Sequence, residues 1–187
     1  MNSKQIEKQN MVPVDITELK REEIFSELID VMGTKIMRLA FTYVKDEKIA
    51  EDITQEVFLR CYKHIDQFRG EASIKTWIYT ITVNLCKDYL RSWSYRKLFT
   101  FEKVDKEHTS QNSVLDYVLD TLEKKNLAHA VLQLPVKYRE VIILHYYEDY
   151  TVHEMKDILQ LNEDTIRTRL RRAREKLKLH YSKERPD

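Results

Sequence analysis

Apolar residues recur at helical spacing along most of the chain. The pattern predicts seven helices, at about residues 18–44, 46–66, 73–93, 114–134, 136–147, 151–159 and 162–180. Asp46 and Asn162 are residue types that cap helix N-termini. Periodicity is lost between 94 and 112, where polar residues dominate, as is typical of a linker. We therefore predict an all-α protein with two small helical domains, 16–93 and 113–187, a flexible linker at 94–112 and a flexible tail at 1–15.

The composition disfavours folds that depend on tight turns or glycine-rich loops. The 187 residues include only 2 Gly and 3 Pro, whereas β-sandwiches and nucleotide-binding α/β folds draw heavily on both. No stretch approaches the ~20 apolar residues of a membrane helix, and no apolar segment follows the charged start, so we expect no signal peptide. Cys61 and Cys86 fall inside helical patterns. These features predict a cytoplasmic protein with free thiols.

The net charge of +1 conceals one strongly basic segment. Residues 167–178 hold seven basic residues and one acidic residue. On a helical projection, Ile166, Leu170, Ala173 and Leu177 form a narrow apolar stripe, with cationic stripes on both flanks. A helix lying in a DNA groove needs this layout, because its cations meet the two phosphate backbones. A solvated basic helix at the end of a bundle has a similar composition.

A shorter amphipathic helix at 151–159 precedes the basic helix, and the turn between them is about three residues long. Helix, short turn and basic helix together predict a helix-turn-helix in the second domain. This spacing favours a DNA-binding function over a purely solvated helix.

The helix predicted at 46–66 has an unusual polar face. Asp52, Gln55 and Glu56 share this face with Leu59, so an exposed leucine lies among acidic groups. Such a combination indicates a protein docking surface. The pattern fits equally a solvated polar face with one exposed leucine.

The helix predicted at 73–93 carries two apolar stripes, one including Trp77 and the other including Tyr79, Val83 and Cys86. A polar strip lies between them and includes Thr80, Asn84, Lys87 and Arg91. Hydrogen-bonding groups, cations and a neighbouring aromatic ring suit unpaired bases. A central helix of a bundle with one solvent-exposed face would show the same pattern.

These segments resemble those of a known family. Ala50–Phe58 resembles the AEDxxQExF segment of region 2.2 of bacterial sigma factors, and Phe68–Gly70, Thr76–Tyr79 and Asn84–Arg91 look like the melting and −10 recognition segment that follows it. Leu134–Val141 and Thr165–Arg174 are similar to region 4. The chain resembles an extracytoplasmic-function sigma factor, the small two-domain branch of the sigma-70 family, over about residues 22–180.

The resemblance implies a non-enzymatic factor, without metal or cofactor, that directs core RNA polymerase to promoters and assists strand opening. Asp52, Gln55, Glu56 and Leu59 would bind the polymerase, whose β′ clamp helices and β subunit are the implied partners. Such factors are usually held inactive by an anti-sigma protein, often membrane-anchored.

The resemblance also implies two sets of DNA contacts. The −10 element would be bound by Phe68, Arg69, Gly70, Thr80, Asn84, Lys87 and Arg91. The −35 element would be bound by Arg167, Thr168, Arg169, Arg171, Arg172 and Arg174.

Two residues of the helix-turn-helix depart from the family pattern. Lys156 stands where a small residue is usual, and its ammonium must reach water. Gln160 stands where glycine is usual, so a left-handed backbone there would cost about 1 kcal/mol.

Two other functions compete with this interpretation. A free-standing repressor or activator would need only the helix-turn-helix and not the polar face at Asp52. A metal-dependent enzyme using Cys61 and His64 is disfavoured, because a third ligand is not evident and both residues project to the side we expect to be buried.

Overall fold

The computed structural model describes residues 18–70, 72–99 and 122–184. Seven α-helices occupy these residues, and no strand is found among them. They are α1 (Glu18–Val44), α2 (Glu47–His64), α3 (Ile74–Phe99), α4 (Leu122–Gln133), α5 (Val136–Ile142), α6 (Val152–Leu159) and α7 (Glu163–Glu184). A 3₁₀ turn, Ile65–Gln67, extends α2, and a π-helical turn, Ile143–Tyr147, extends α5. The all-α prediction is confirmed.

Single polar residues set the helix boundaries in the first domain. Lys45 has a left-handed backbone with φ 57° that ends α1, and Asp46 then caps α2 by accepting from the Ile49 N–H at 3.0 Å. Ser73 caps α3 in the same way, through the Thr76 N–H at 3.0 Å. The caps satisfy backbone donors that a helix start leaves without partners.

The third helix is longer than the sequence pattern predicts. It runs to Phe99, six residues past the predicted end at 93, so the first part of the predicted linker is helical. The segment from Ser94 to Phe99 lacks Gly and Pro, and nothing in it prevents a helix from continuing. The tail at 1–15, the rest of the linker and the predicted start of the next helix at 114 lie outside the described residues.

The two domains pack against each other and share a continuous core. In the first, α1 packs along α2 and α3, and in the second α7 packs across α5 and α6. Contacts of α1 with α5, and of α3 with α6, join the two. The second apolar stripe of α3 is buried by this arrangement, since Tyr79, Val83 and Cys86 are all fully buried.

Candidate polymerase and nucleic-acid interfaces

The basic helix α7 presents its cations to solvent because an apolar seam holds it on the domain. Asn162 caps it by accepting from the Thr165 N–H at 2.8 Å. Ile166, Leu170 and Ala173 are buried against the rest of the domain. The side chains on the opposite side are exposed, namely Arg167, Thr168, Arg171, Arg172 and Arg174.

Two of these arginines pair with carboxylates on their own helix. Arg167 donates to Glu163 at 2.7 Å, and Arg171 donates to Glu175 at 2.7 Å. Hydrogen bonds from His153 and from Arg167 lower the pKa of Glu163. Exposed pairs of this kind contribute little to stability, so the guanidinium groups can exchange these partners for phosphates at small cost.

Arg169 is placed differently from the other five residues of the predicted −35 set. Its Nη1 donates to Glu140 Oε1 at 2.6 Å, and its side chain is 24% exposed whereas that of Glu140 is 3% exposed. Glu140 belongs to α5, so this pair fixes α7 on the helix beneath it. The contact gives Arg169 a positioning role that the sequence pattern did not indicate.

The turn of the helix-turn-helix contains a left-handed backbone at Gln160. Gln160 ends α6 with φ 55° and ψ 47°, in the left-handed region that favours glycine. Its side-chain Nε2 donates to the Asp157 carbonyl at 2.7 Å, which offsets part of the cost. Lys156 is exposed, so its ammonium reaches water as expected.

The start of α6 is fixed by a reciprocal cap. Thr151 Oγ1 accepts from the Glu154 N–H at 3.3 Å, and the Thr151 N–H donates to Glu154 Oε2 at 2.8 Å. The Thr151 hydroxyl also lowers the pKa of the Glu154 carboxyl by donating to it. This capping box orients α6, and through the turn it orients α7.

The polar face of α2 points away from the core, as predicted. Asp52 and Gln55 are exposed, and Leu59 is 54% exposed. Glu56 accepts from Arg60 Nε at 2.7 Å, in a pair that is half exposed. An accessible leucine among carboxylates is suited to bind a protein surface with apolar and cationic groups.

The sequence analysis missed two further exposed apolar side chains, one on α2 and one on α1. Tyr62 is 37% exposed and contacts Phe25 of α1 edge to face, with ring centroids 5.0 Å apart. Ile29, one helical turn after Phe25, is 46% exposed. The helical projection of α2 places Tyr62 on the same face as Gln55 and Leu59, and this signal could have identified it.

The loop before α3 brings an aromatic pair next to a positive-φ glycine. Phe68 and Trp77 have ring centroids 5.4 Å apart. Gly70 has φ 70°, so the turn depends on a backbone conformation that other residues rarely adopt. Arg69 beside it is exposed. Partly accessible rings beside a cation suit stacking with an unpaired base.

The polar strip of α3 is only partly accessible. Asn84 and Arg91 are exposed, whereas Thr80 Oγ1 donates to the Thr76 carbonyl at 2.9 Å. Lys87 Nζ lies 3.7 Å from Glu140 Oε2 and 3.5 Å from the Leu159 carbonyl oxygen. The second domain therefore occupies the one lysine of this predicted −10 set.

The cysteines form no metal site in the described part of the chain. Both are buried free thiols, and burial raises the pKa of each to about 12. His64 is exposed, contrary to the expected buried orientation. It is the last residue of α2, and its backbone, with φ −117° and ψ 10°, departs from the regular helix on which the projection depends. Within the described residues, no three His, Cys, Asp or Glu side chains are grouped to hold an ion. None of the described helices has the length and apolar character to span a bilayer.

Family models match both domains of the chain. Residues 28–94 match Sigma-70 region 2, and residues 124–177 match Sigma-70 region 4. The first match contains α2 and most of α3, and the second contains the helix-turn-helix.

Related proteins extend the likeness over nearly the whole length. The ECF RNA polymerase sigma factor SigW of Bacillus subtilis (strain 168) is 33% identical over 178 residues, which cover 90% of this chain and 95% of SigW. The RNA polymerase sigma factor SigV of the same organism is 33% identical over 79% of this chain and 84% of SigV.

Solved structures show the same fold. The sigma factor RpoE of Bartonella quintana, determined in complex with the anti-sigma factor NepR, has a TM-score of 0.69 at 22% identity and covers 88% of this chain and 99% of that one. CnrH, determined in complex with the cytosolic domain of CnrY, has a TM-score of 0.63 at 21% identity and covers 88% of this chain and 91% of that one. Matches to both domains in order, with this degree of likeness to SigW, show that the chain belongs to the extracytoplasmic-function branch of the sigma-70 family, whose members direct core RNA polymerase to specific promoters.

Proposed function

We propose that the two predicted domains of this sigma factor, 16–93 and 113–187, bind different partners. The first would bind the polymerase and the opened −10 strand, and the second would bind the −35 duplex. The observation that carries the proposal is the exposed guanidinium row of α7, fixed above a buried apolar seam within a capped helix-turn-helix.

The α2 face is the proposed polymerase-binding surface. Asp52, Gln55 and Glu56 would meet cationic and polar groups on the clamp helices of β′, and Leu59 would enter an apolar contact at the centre. Tyr62, on the same face of α2, adds a second exposed apolar side chain. Exposed carboxylates would speed association with a basic partner, while Leu59, once buried in the complex, would slow dissociation.

The −10 strand is the proposed ligand of the loop before α3 and of the α3 polar strip. Phe68 and the backbone at Arg69 and Gly70 would hold a base extruded from the duplex. Extrusion costs a few kcal/mol of unstacking, which an aromatic contact and edge hydrogen bonds can offset. Further along α3, the accessible amide of Asn84 suits contacts to base edges, and the exposed Arg91 suits a phosphate.

The −35 duplex is the proposed ligand of α7. Arg167, Arg171, Arg172 and Arg174 are exposed and would contact phosphates or base edges, with Thr168 between them. Arg169 would act through its pair with Glu140, by fixing the angle at which α7 enters the major groove.

We infer a cytoplasmic, non-enzymatic factor that an anti-sigma protein holds inactive. Two structures with this fold were determined as complexes, one with an anti-sigma factor and the other with the cytosolic domain of a partner protein. The exposed apolar patch of α2 and the basic face of α7 are surfaces that such an inhibitor would have to cover to block both functions.

Run-off transcription with purified core polymerase and fragmented genomic DNA tests the whole assignment. We expect discrete transcripts that depend on the added factor. Tight binding to duplex DNA without factor-dependent transcripts would contradict it and would indicate a free-standing repressor or activator.

A further inference from the structure

A groove runs beside α7, between this helix and the π-helical turn that extends α5. Its volume is about 470 Å³. The lining includes exposed arginines from α7 and an aromatic pair from the π-helical turn, namely Arg167, Arg171, Arg174, His145 and Tyr146. Three cations along one wall suit an anionic ligand, and the arginines belong to the face of α7 proposed for duplex DNA. The opposite wall is therefore placed to contact the same DNA backbone.

The π-helical turn sets the position of the His145 ring in this groove. The turn closes with two backbone hydrogen bonds, from the Glu148 N–H to the Ile143 carbonyl at 3.1 Å and from the Tyr150 N–H to the Leu144 carbonyl at 2.9 Å. His145 Nδ1 lies 2.9 Å from the Tyr150 carbonyl oxygen. The ring is thus held by the backbone of its own turn, and short π-helical segments of this kind are frequent at functional sites.

The bond to Tyr150 decides which ring nitrogen of His145 carries a hydrogen. A carbonyl oxygen can only accept, so Nδ1 is the donor. In the neutral ring Nε2 then has a lone pair and no hydrogen, and it cannot donate to a phosphate oxygen. Protonation makes Nε2 a donor and gives the ring a positive charge. Contact between His145 and a phosphate therefore requires the uptake of one proton.

The groups around the His145 ring supply no anion that could stabilise its protonated form. They are cationic on α7, aromatic on the π-helical turn and apolar on α6, namely Arg167, Arg171, Arg174, Tyr146 and Val152. The carboxylates of neighbouring segments have other partners in the described structure, namely Glu148 with Tyr79, Glu140 with Arg169, Glu163 with Arg167 and His153, and Glu175 with Arg171. None of the described residues that line the groove is acidic. A negative partner for protonated His145 must therefore come from a ligand.

We propose that His145 binds a phosphate of the −35 duplex in its protonated form, so that DNA binding by α7 takes up a proton and strengthens as the pH falls. The inference rests on the proposed binding of duplex DNA by α7. A bound phosphate stabilises the protonated ring. The contribution of His145 is therefore present at low pH and is lost as the pH rises through the range in which histidine titrates. The arginines of α7 stay charged throughout this range.

Two measurements on the full chain test the proposal, with a mixed-sequence 30-base-pair duplex as the probe. Calorimetric titration at about pH 7, in two buffers of different ionisation enthalpy, gives the number of protons taken up on binding. Fluorescence anisotropy at about pH 6 and about pH 8, each at several salt concentrations, gives the affinity and its salt slope.

Three variants separate His145 from the other histidines. His145→Asn keeps an N–H donor near the position of Nδ1 and removes Nε2. His145→Arg supplies a cation that does not titrate. His153→Asn is the matched control, because His153 also lies close to α7 but is 74% exposed, pairs with Glu163 and does not line the groove. Circular dichroism checks that each variant is folded.

We expect the wild type and His153→Asn to bind the duplex about tenfold more tightly at pH 6 than at pH 8, with a salt slope larger in magnitude by about 0.9 at pH 6. Calorimetry should show uptake of about half a proton at pH 7. In His145→Asn the affinity and the slope should be nearly the same at both pH values and close to those of the wild type at pH 8. His145→Arg should keep the tighter binding and the larger slope at both.

Equal pH dependence in the wild type and folded His145→Asn would overturn the proposal. So would binding by the wild type without proton uptake, a result that requires no variant to fold. Loss of the pH dependence in His153→Asn alone would assign the proton to the wrong histidine and would also overturn it. Absence of duplex binding by the wild type at both pH values would instead contradict the proposed −35 function, on which this inference depends.

Discussion

Arg172 and Arg169 lie three residues apart on α7, but substitution of the first should affect DNA binding and substitution of the second should affect stability. Arg172 is exposed on the proposed DNA face. Each phosphate contact contributes about 0.9 to the slope of log K against log salt. Arg172→Ala should therefore lower the magnitude of the slope by about 0.9. Between 50 and 200 mM salt, the loss of affinity for a duplex should become about 3.5-fold smaller.

Arg169→Ala should instead affect folding. Glu140 would remain buried with its main ionic partner removed. Breaking a buried pair costs about 3–5 kcal/mol, and the remaining contacts of Glu140 with Tyr43 and Lys87 reduce the expected loss to about 2–3 kcal/mol. The salt slope of the folded fraction should stay close to that of the wild type.

Fluorescence anisotropy with a 30-base-pair duplex at several salt concentrations gives the slope, and urea unfolding gives the stability. Arg172→Lys is the matched control, because it keeps the charge and should keep the slope. A slope change for Arg169→Ala as large as that for Arg172→Ala, with no loss of stability, would refute the distinction between a DNA-facing and a positioning arginine.

Three further predictions concern the other sites. Asp52→Ala with Glu56→Ala should weaken core polymerase binding about tenfold or more while circular dichroism stays unchanged, and unchanged affinity in a pull-down titration would exclude the α2 face. Gln160→Gly should be about 1 kcal/mol more stable than Gln160→Ala in urea unfolding, since both lose the side-chain hydrogen bond but only Gly relaxes the left-handed backbone. Equal stabilities would show that the turn is unstrained. Cys61 and Cys86 should resist a thiol reagent at pH 8 until the protein unfolds, because their pKa values of about 12 keep them protonated; rapid labelling of the native protein would contradict their burial.

Local signals were sufficient to predict most of the helices. Asp46 and Asn162 cap α2 and α7 as the sequence indicated, because a cap depends on only a few adjacent residues. The apolar seam of α7 was also predictable, since burial of one stripe follows from helical spacing. The predicted end of α3 at 93 was wrong, because the loss of apolar periodicity that predicts a linker does not prevent a helix from continuing.

Contacts between distant segments were beyond the sequence pattern. The projection of α7 placed Arg169 on a cationic flank, yet which flank meets α5 depends on how the helices pack. The second apolar stripe of α3 was visible, but its burial involves both α1 and the second domain. Exposure of His64 likewise depends on the turn that follows α2.

Leu59 and Tyr62 on the outer face of α2 stay exposed although the two domains pack against each other. A polymerase that binds at the proposed α2 face therefore has no part of the factor to displace from it, and capture requires no prior rearrangement of the factor.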